Sequence, residues 1–393
     1  MATERLQIDL SYLGSNNVLI YPIYSEKGDL ILEARTPLTL EKINEIIEKH
    51  GNIVYYSFSE EMDNIPNHRI NTAINQMKEV EEEILKTDKL SKTSYKNTEN
   101  LIEMILNDLR SSDTGTIRLL KDLNTYDDYT YNHSVNVLLL VAVFSTKLHL
   151  FKVDELKSLL IGAYLHDIGK MKIDKQLLTK KGKLNVSEFQ KMKRHPQLGY
   201  ELIKNVAGND RIVQQVVLFH HEKYNSKGYY SLPYEYLPVY PKIVSICDVF
   251  DALTTNRPYR EAFSPSQAIK TIVNTVNQQF DFGLINNFVN SMSPLLNNTQ
   301  SFYSRYDICE LSTQELGLIM DYSFSDLMKP QVIVFCRFER NGGGFSARFY
   351  DKPVRLDLLK DDSKMMVRIL TNKRQVNTLK DKLLERSLMQ ISQ

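Results

Sequence analysis

Histidine is scarce in this chain, with eight in 393 residues, and two of the eight stand side by side as His220 and His221 in HHEKYNSKGYY. A third, His166, precedes Asp167 in LHDIGK, while His133 lies in YNHSVNV, His195 in KRHPQLGY and Asp248 in ICDVFDAL. An imidazole buried without a partner is costly, so five histidines in short segments of one apolar, helical region imply a shared ligand. A lone His-Asp pair would carry little weight, because a histidine also caps helix C-termini. The set can be tested against coordination. Two near-octahedral cations offer about twelve positions; five imidazoles and a terminal Asp fill about six, and a bridging carboxylate about two more. About four stay open, two for a hydroxide spanning the ions and the rest for phosphate oxygens, as in two-metal phosphoester hydrolysis. Mixed imidazole and carboxylate donors favour iron or manganese over calcium, and the lack of thiolates argues against structural zinc.

The elements that must position these residues can be read from hydrophobic period. The chain is expected to be multidomain and mainly α, since single cores seldom exceed about 250 to 300 residues. Residues 1–85 read as a small α/β or α+β regulatory or accessory module: a hairpin over Val18–Arg35, a helix over Thr39–His50, a strand in NIVYYSF and an amphipathic helix through Ile70, Ile74, Met77, Ile84 and Leu85. Residues 86–97, KTDKLSKTSYKN, lack an apolar face and read as a linker. Residues 98–295 form an all-α domain, with helices predicted over Asn100–Leu109, Thr116–Leu123, Tyr131–Leu148, Val153–Leu165, Val186–Met192, Leu198–Val206, Ile212–His220, Ile243–Leu253 and Pro265–Val276. Residues 296–393 read as a β-rich extension, with QVIVFCRF and FSARFY joined by a turn at Asn341-Gly342-Gly343-Gly344 and a closing helix over Gln375–Gln390.

Bulk properties exclude several partners. A net charge of +1 gives no overall field for polymeric nucleic acid or anionic lipid, though a local basic pocket can still hold phosphate. The amino-terminal MATERLQIDLSYLG lacks the apolar core of a signal peptide. The longest strongly apolar run, VLLLVAVF over Val137–Phe144, falls far short of the roughly 20 residues that span a bilayer and should be buried helix. No membrane contact is expected. Cys247, Cys309 and Cys336 are odd in number and form no CxxC pair, which points to a reduced, cytoplasmic protein.

The combination HDIGK, HPQLG, HHEKYNSKGY and ICDVFDALTTNRPYR resembles the HD-GYP subgroup of HD-domain phosphohydrolases, bacterial phosphodiesterases that open cyclic di-GMP to linear pGpG and in some members continue to GMP. The similarity runs from Tyr129 to Phe288. It implies an HD-type helical bundle around two or three divalent ions, with His133, His166, Asp167, His195, His220, His221 and Asp248 as ligands and Asp167 bridging. It also implies that Lys170 contacts phosphate near the metals and that Arg257 and Arg260 face the ligand phosphates, where a guanidinium can make bidentate contacts; apart from the resemblance, Tyr229 could stack on a guanine, or the abundance of tyrosine could simply reflect composition. Asp251, three residues after Asp248, should orient Lys170 or a ligand. The bland alternatives are a solvent lysine, arginine salt bridges and a helix-capping Asp251. The remaining histidines, His50, His68 and His149, read as surface or capping residues.

The sequence departs from the subgroup at three places. Gly228-Tyr229-Tyr230 replaces Gly-Tyr-Pro, and Asn225-Ser226 replaces an acid and a glycine; both act on backbone geometry and leave the ligands intact. Tyr129 stands where three-metal members have glutamate, with Asp128 one place earlier, so two ions are expected. The leading function is a phosphodiesterase of cyclic di-GMP acting in second-messenger signalling. The alternatives are a cyclic di-GMP receptor with little turnover, signalling through its flanking modules, and an HD-domain hydrolase of another nucleotide. A homodimer or a signalling-protein partner is open to either class.

Overall fold

The computed structural model describes residues 5–9, 17–18, 23–33, 36–51, 53–57, 67–111, 129–180, 182–256, 260–292, 302–321, 323, 326–341 and 344–385. They group into two units, one drawn from Ser59–Ala268 with Asn277–Leu295, the other from Met1–Phe58, Ile269–Val276 and Leu296–Gln393.

At the amino terminus, β1 (Arg5–Asp9), β3 (Ile23–Tyr24), β4 (Leu30–Leu32) and β6 (Ile53–Ser57) form an antiparallel sheet in the order β1-β6-β3-β4, while β2 (Asn17–Val18) pairs with β5 (Pro37–Leu38). The predicted hairpin is present, with its turn closed by the Gly28 N–H donating to the Ser25 carbonyl at 2.9 Å. Helix α1 (Leu40–His50) starts where Thr39 accepts from the Lys42 N–H at 3.2 Å. Its Ile43 and Ile46 bury against Ile23 and Val54, a small core that the helical period had marked.

The helical unit begins with α2 (Asn67–Thr87) and α3 (Lys92–Ser111). Here the structure differs from the sequence reading, which ended the first module at residue 85 and placed a linker over 86–97. Helix α2 lays Ile70, Ile74, Met77, Val80 and Ile84 into the helical unit, and the buried Tyr164 hydroxyl donates to the Ala73 carbonyl at 2.5 Å. The linker stretch ends α2 at Thr87, turns, and opens α3 at Lys92, with Leu90 and Tyr95 buried, as is Thr98 just beyond it. Three inward side chains among polar ones suffice to dock a helix end, and the polar composition hid them. The helix predicted over Thr116–Leu123 lies outside the described residues.

Helix α4 (Tyr129–Leu148) is the centre of the unit, and every residue from Asn132 to Ser145 is buried, so the apolar run is a core helix as expected. It packs against α5 (Val153–Leu165); the chain continues through α6 (Lys175–Leu178), α7 (Val186–Met192), α8 (His195–Ile203) and α9 (Arg211–Phe219) to α10 (Val239–Thr254), which also packs on α4, and then to α11 (Pro265–Val273) and α12 (Phe282–Met292). Helix α12 was not among the predicted helices, although Asp281 accepts from the Leu284 N–H at 2.9 Å and Ile285, Phe288, Val289 and Met292 form its buried stripe. No helix among the described residues is long and apolar enough to cross a membrane.

In the carboxy-terminal part, β7 (Ile308–Leu311), β8 (Glu315–Asp321), β9 (Gln331–Asn341), β10 (Gly344–Asp357) and β11 (Met366–Ile369) make an antiparallel sheet ordered β10-β9-β8-β7-β11. Asn341 pairs with Gly344, as the glycine turn required. Helix α13 (Lys373–Glu385) buries Leu379 and Leu383 with Ile308, Leu316 and Phe335. Cys247, Cys309 and Cys336 are all free and buried.

Candidate metal centre

The cluster is assembled from element ends in the helical unit. Helix α5 stops at Leu165, and His166 and Asp167 occupy the junction with a short 3-10 turn over Ile168–Lys172. That turn lies directly on α8: a Cβ on Gly169 would fall 1.9 Å from the His195 carbonyl oxygen and 2.4 Å from the Gly199 nitrogen. Only a residue without a Cβ permits this approach, and it brings His195 opposite Asp167. Gly169→Ala should therefore destabilise the helical unit by about 3 kcal/mol or more and lower its cation content, as read by denaturant unfolding and elemental analysis. Helix α9, started by Asp210 accepting from the Ile212 and Val213 N–H groups at 3.1 and 3.2 Å, ends at His220. His133 comes from α4, and Asp248 and Asp251 from α10.

The imidazoles are oriented by hydrogen bonds on their outer side. The Nδ1 atoms of His166, His195 and His220 lie 2.7, 2.8 and 3.1 Å from the carbonyls of Ala163, Met192 and Val217, which fixes the Nδ1–H form and leaves each Nε2 lone pair facing inward. Two of those Nε2 atoms, on His195 and His220, stand 3.3 Å apart. The buried His166 Nε2 and Asp167 Oδ1 have no hydrogen-bond partner. His133 is set differently, with Nδ1 2.6 Å from Asp251 Oδ2, and Asn136 Nδ2 donates to Asp251 Oδ1 at 2.8 Å. The His133 Nε2 lies 3.2 Å from Asp248 Oδ1 and 3.6 Å from Asp167 Oδ2.

Ligand-capable atoms fall into two sets, each within 4.8 Å: Asp167, His195, His220 and His221 in one, His133, His166 and Asp167 in the other. Asp167 belongs to both. Electrostatics match this donor set to cations. Burial first, and the neighbouring histidines second, hold His220 well below the usual imidazole range, and burial takes His221 down to about 3. Burial opposes ionisation of Asp167 and Asp248, yet Lys170 and His166 at the first and His133 at the second hold both carboxyls below their ordinary range. Burial also opposes charge on His133, but Asp248 and Asp251 raise it to about 10. Ionised carboxylates beside His220 and His221, which resist protons, form a pocket suited to divalent metal.

Other expected residues are placed as follows. Lys170 donates to Asp167 Oδ2 and stays partly exposed, although the helix does not continue through it; a 3-10 turn brings it there. Asp251 orients His133 and has no recorded bond to Lys170. Tyr229 lies over His221, ring centroids 4.4 Å apart and tilted 35°. Arg257 lies outside the described residues. Arg260 Nη2 donates to the Ala252 and Leu253 carbonyls at 2.6 and 3.0 Å, and its guanidinium stacks on Phe263, capping the end of α10. Asn136, Phe189, Lys193 and Glu222 adjoin the site without having been singled out. The Phe189 ring packs edge-on to Tyr229 at 6.1 Å, and Lys193 Nζ lies 5.1 Å from the Tyr229 centroid.

Residues 100–284 match the family described as HD domain. The chain carries an HD domain. Of its His166-Asp167 pair, Asp167 belongs to both ligand sets and His166 to one. The chain is similar to "Cyclic di-GMP phosphodiesterase PA4108" from Pseudomonas aeruginosa, with 32% identity over 215 residues, 54% of this chain and 49% of that protein. It is 39% identical over 132 residues to "Cyclic di-GMP phosphodiesterase response regulator RpfG" from Xanthomonas campestris pv. campestris, covering 33% of this chain and 34% of that one. A third relative, "3'3'-cGAMP-specific phosphodiesterase 1" from Vibrio cholerae, is 30% identical over 187 residues, 47% of this chain and 41% of the other. The matches thus span about half or less of these relatives' length.

Proposed function

We propose that this HD domain is an HD-GYP phosphodiesterase that hydrolyses cyclic di-GMP to linear pGpG. The observation that carries the reading is the pair of ligand-capable sets sharing Asp167. His133, His166 and Asp248 would hold one divalent ion, His195, His220 and His221 the other, with Asp167 common to both; iron or manganese suits these donors. Such ions, when bound, polarise a phosphoryl oxygen and lower the pKa of water. The chain's own groups do the rest. Lys170, tied to Asp167 and partly exposed, is placed to donate to a phosphate oxygen and offset the charge that builds there. Asp251 and Asn136 keep the His133 ring from turning. Tyr229, with Phe189 and Lys193 beside it, offers an aromatic and cationic surface for a purine.

Phe189 is 45% exposed, so its removal should cost binding more than folding. Phe189→Ala is expected to raise KM for cyclic di-GMP about tenfold with kcat little changed, measured by initial rates.

A second reading, hydrolysis of 3'3'-cGAMP, is favoured by the Vibrio cholerae relative of that name. Purified protein supplied with Mn²⁺ or Fe²⁺ and each dinucleotide, with products resolved by chromatography, separates the two. Linear pGpG from cyclic di-GMP supports the first reading and cleavage confined to 3'3'-cGAMP the second, while tight binding without product replaces both with a receptor.

A further inference from the structure

The segment after His221 contains a buried acid outside the cation set. Glu222 is 3% exposed, and its carboxylate accepts from two peptide groups, the Tyr230 N–H at 2.6 Å and the Leu232 N–H at 2.8 Å. Bonds from peptide N–H groups to an ionised carboxylate are among the stronger hydrogen bonds available to a loop. They draw residues 228–232 down onto the turn that bears His220 and His221. The approach is close: a Cβ on Gly228 would fall 2.5 Å from Glu222 Cα and 2.6 Å from its Oε2, so the loop sits here only with glycine at that place. Ser226 and Ser231, at φ 57°, turn the chain on either side. Tyr229 is thereby held over His221 and 6.1 Å from the His195 ring. The Tyr230 ring is 41% exposed and meets Phe219 edge-on at 6.0 Å, so the backbone N–H of this residue makes its anchoring contact. A proline there would have no N–H to give.

We propose that Glu222 is a positioning residue for dinucleotide recognition, clamping Tyr229 against His221 through the Tyr230 and Leu232 N–H groups. Tyr230 thus gives this loop an N–H anchor that proline at the same place in Gly-Tyr-Pro cannot give. This deepens the phosphodiesterase reading and rests on it for the choice of substrate.

The test compares the full chain with E222Q, Y230P and the double variant. In E222Q an amide group faces one of the two N–H donors and cannot accept from it. E222Q is expected to raise KM for cyclic di-GMP about ten- to hundredfold, to expose the Leu232 amide to hydrogen exchange, and to leave bound Mn²⁺ and hydrolysis of the base-free bis(p-nitrophenyl) phosphate within about twofold. Y230P removes the Tyr230 bond of the same clamp, so it should also raise KM alone yet add less than about twofold on the E222Q background, because releasing either bond frees the same Tyr229 ring. Single effects that multiply, unchanged protection of Leu232 in E222Q, or parallel loss of Mn²⁺ and base-free hydrolysis would each overturn the clamp. If the parent chain cleaves no cyclic dinucleotide, the functional reading falls, and the Leu232 exchange comparison still decides the clamp.

Discussion

Asp167→Asn should abolish turnover, lowering kcat/KM by at least about a thousandfold, because one carboxylate serves both halves of the site. Its Oδ1 lies 3.2 Å from His195 Nε2, while its Oδ2 lies 3.3 Å from His166 Nε2 and bonds Lys170. Asparagine keeps the volume and one oxygen but loses the charge that two cations would share. The structure predicts a fall in bound metal alongside the fall in rate, with elemental analysis and initial-rate kinetics read on the same preparation. A variant that keeps both ions and its rate would mean that Asp167 is not the shared ligand.

Metal removal gives the second large effect. With His195 and His220 presenting Nε2 atoms 3.3 Å apart and His166 Nε2 and Asp167 Oδ1 buried without hydrogen-bond partners, a bound cation satisfies several atoms together. A ligand that binds only the folded state at about a thousand times its Kd stabilises by about 4 kcal/mol, which for a unit of this size raises the unfolding midpoint by roughly 8 to 16 °C. Protein stripped with chelator and titrated with Mn²⁺ should show that rise by calorimetry, and Asp167→Asn should lose most of it. An unchanged midpoint in the parent protein would argue against these side chains as a metal site.

The helices were legible because the period of Leu, Ile and Val is a local property. Val153–Leu165 and Val186–Met192 fall on their predicted limits. The cluster was legible because its residues cannot be explained one at a time: histidines far apart in sequence make sense only together. What was lost depended on backbone path. Lys170 reaches Asp167 through a 3-10 turn that no spacing rule announced. Arg260 bonds the carbonyls at the end of α10, a contact that composition cannot announce. Asn136 and Glu222 act by holding other groups, and the only sequence trace of the latter was its place directly after His221. The edge of the first module was misjudged because α2 looks amphipathic whichever neighbour its stripe meets.

The contact of Gly169 with the backbone at His195 and Gly199 has a consequence for which ions can be tolerated. Where two segments touch main chain to main chain, the spacing of their backbones is set by peptide groups and cannot change without moving a whole segment. The turn bearing Asp167 and the helix bearing His195 thus act as jaws of fixed width. A cation of larger radius would have to be met by side-chain rotation or by sliding a whole helix, so the skeleton would favour ions within a narrow range of size.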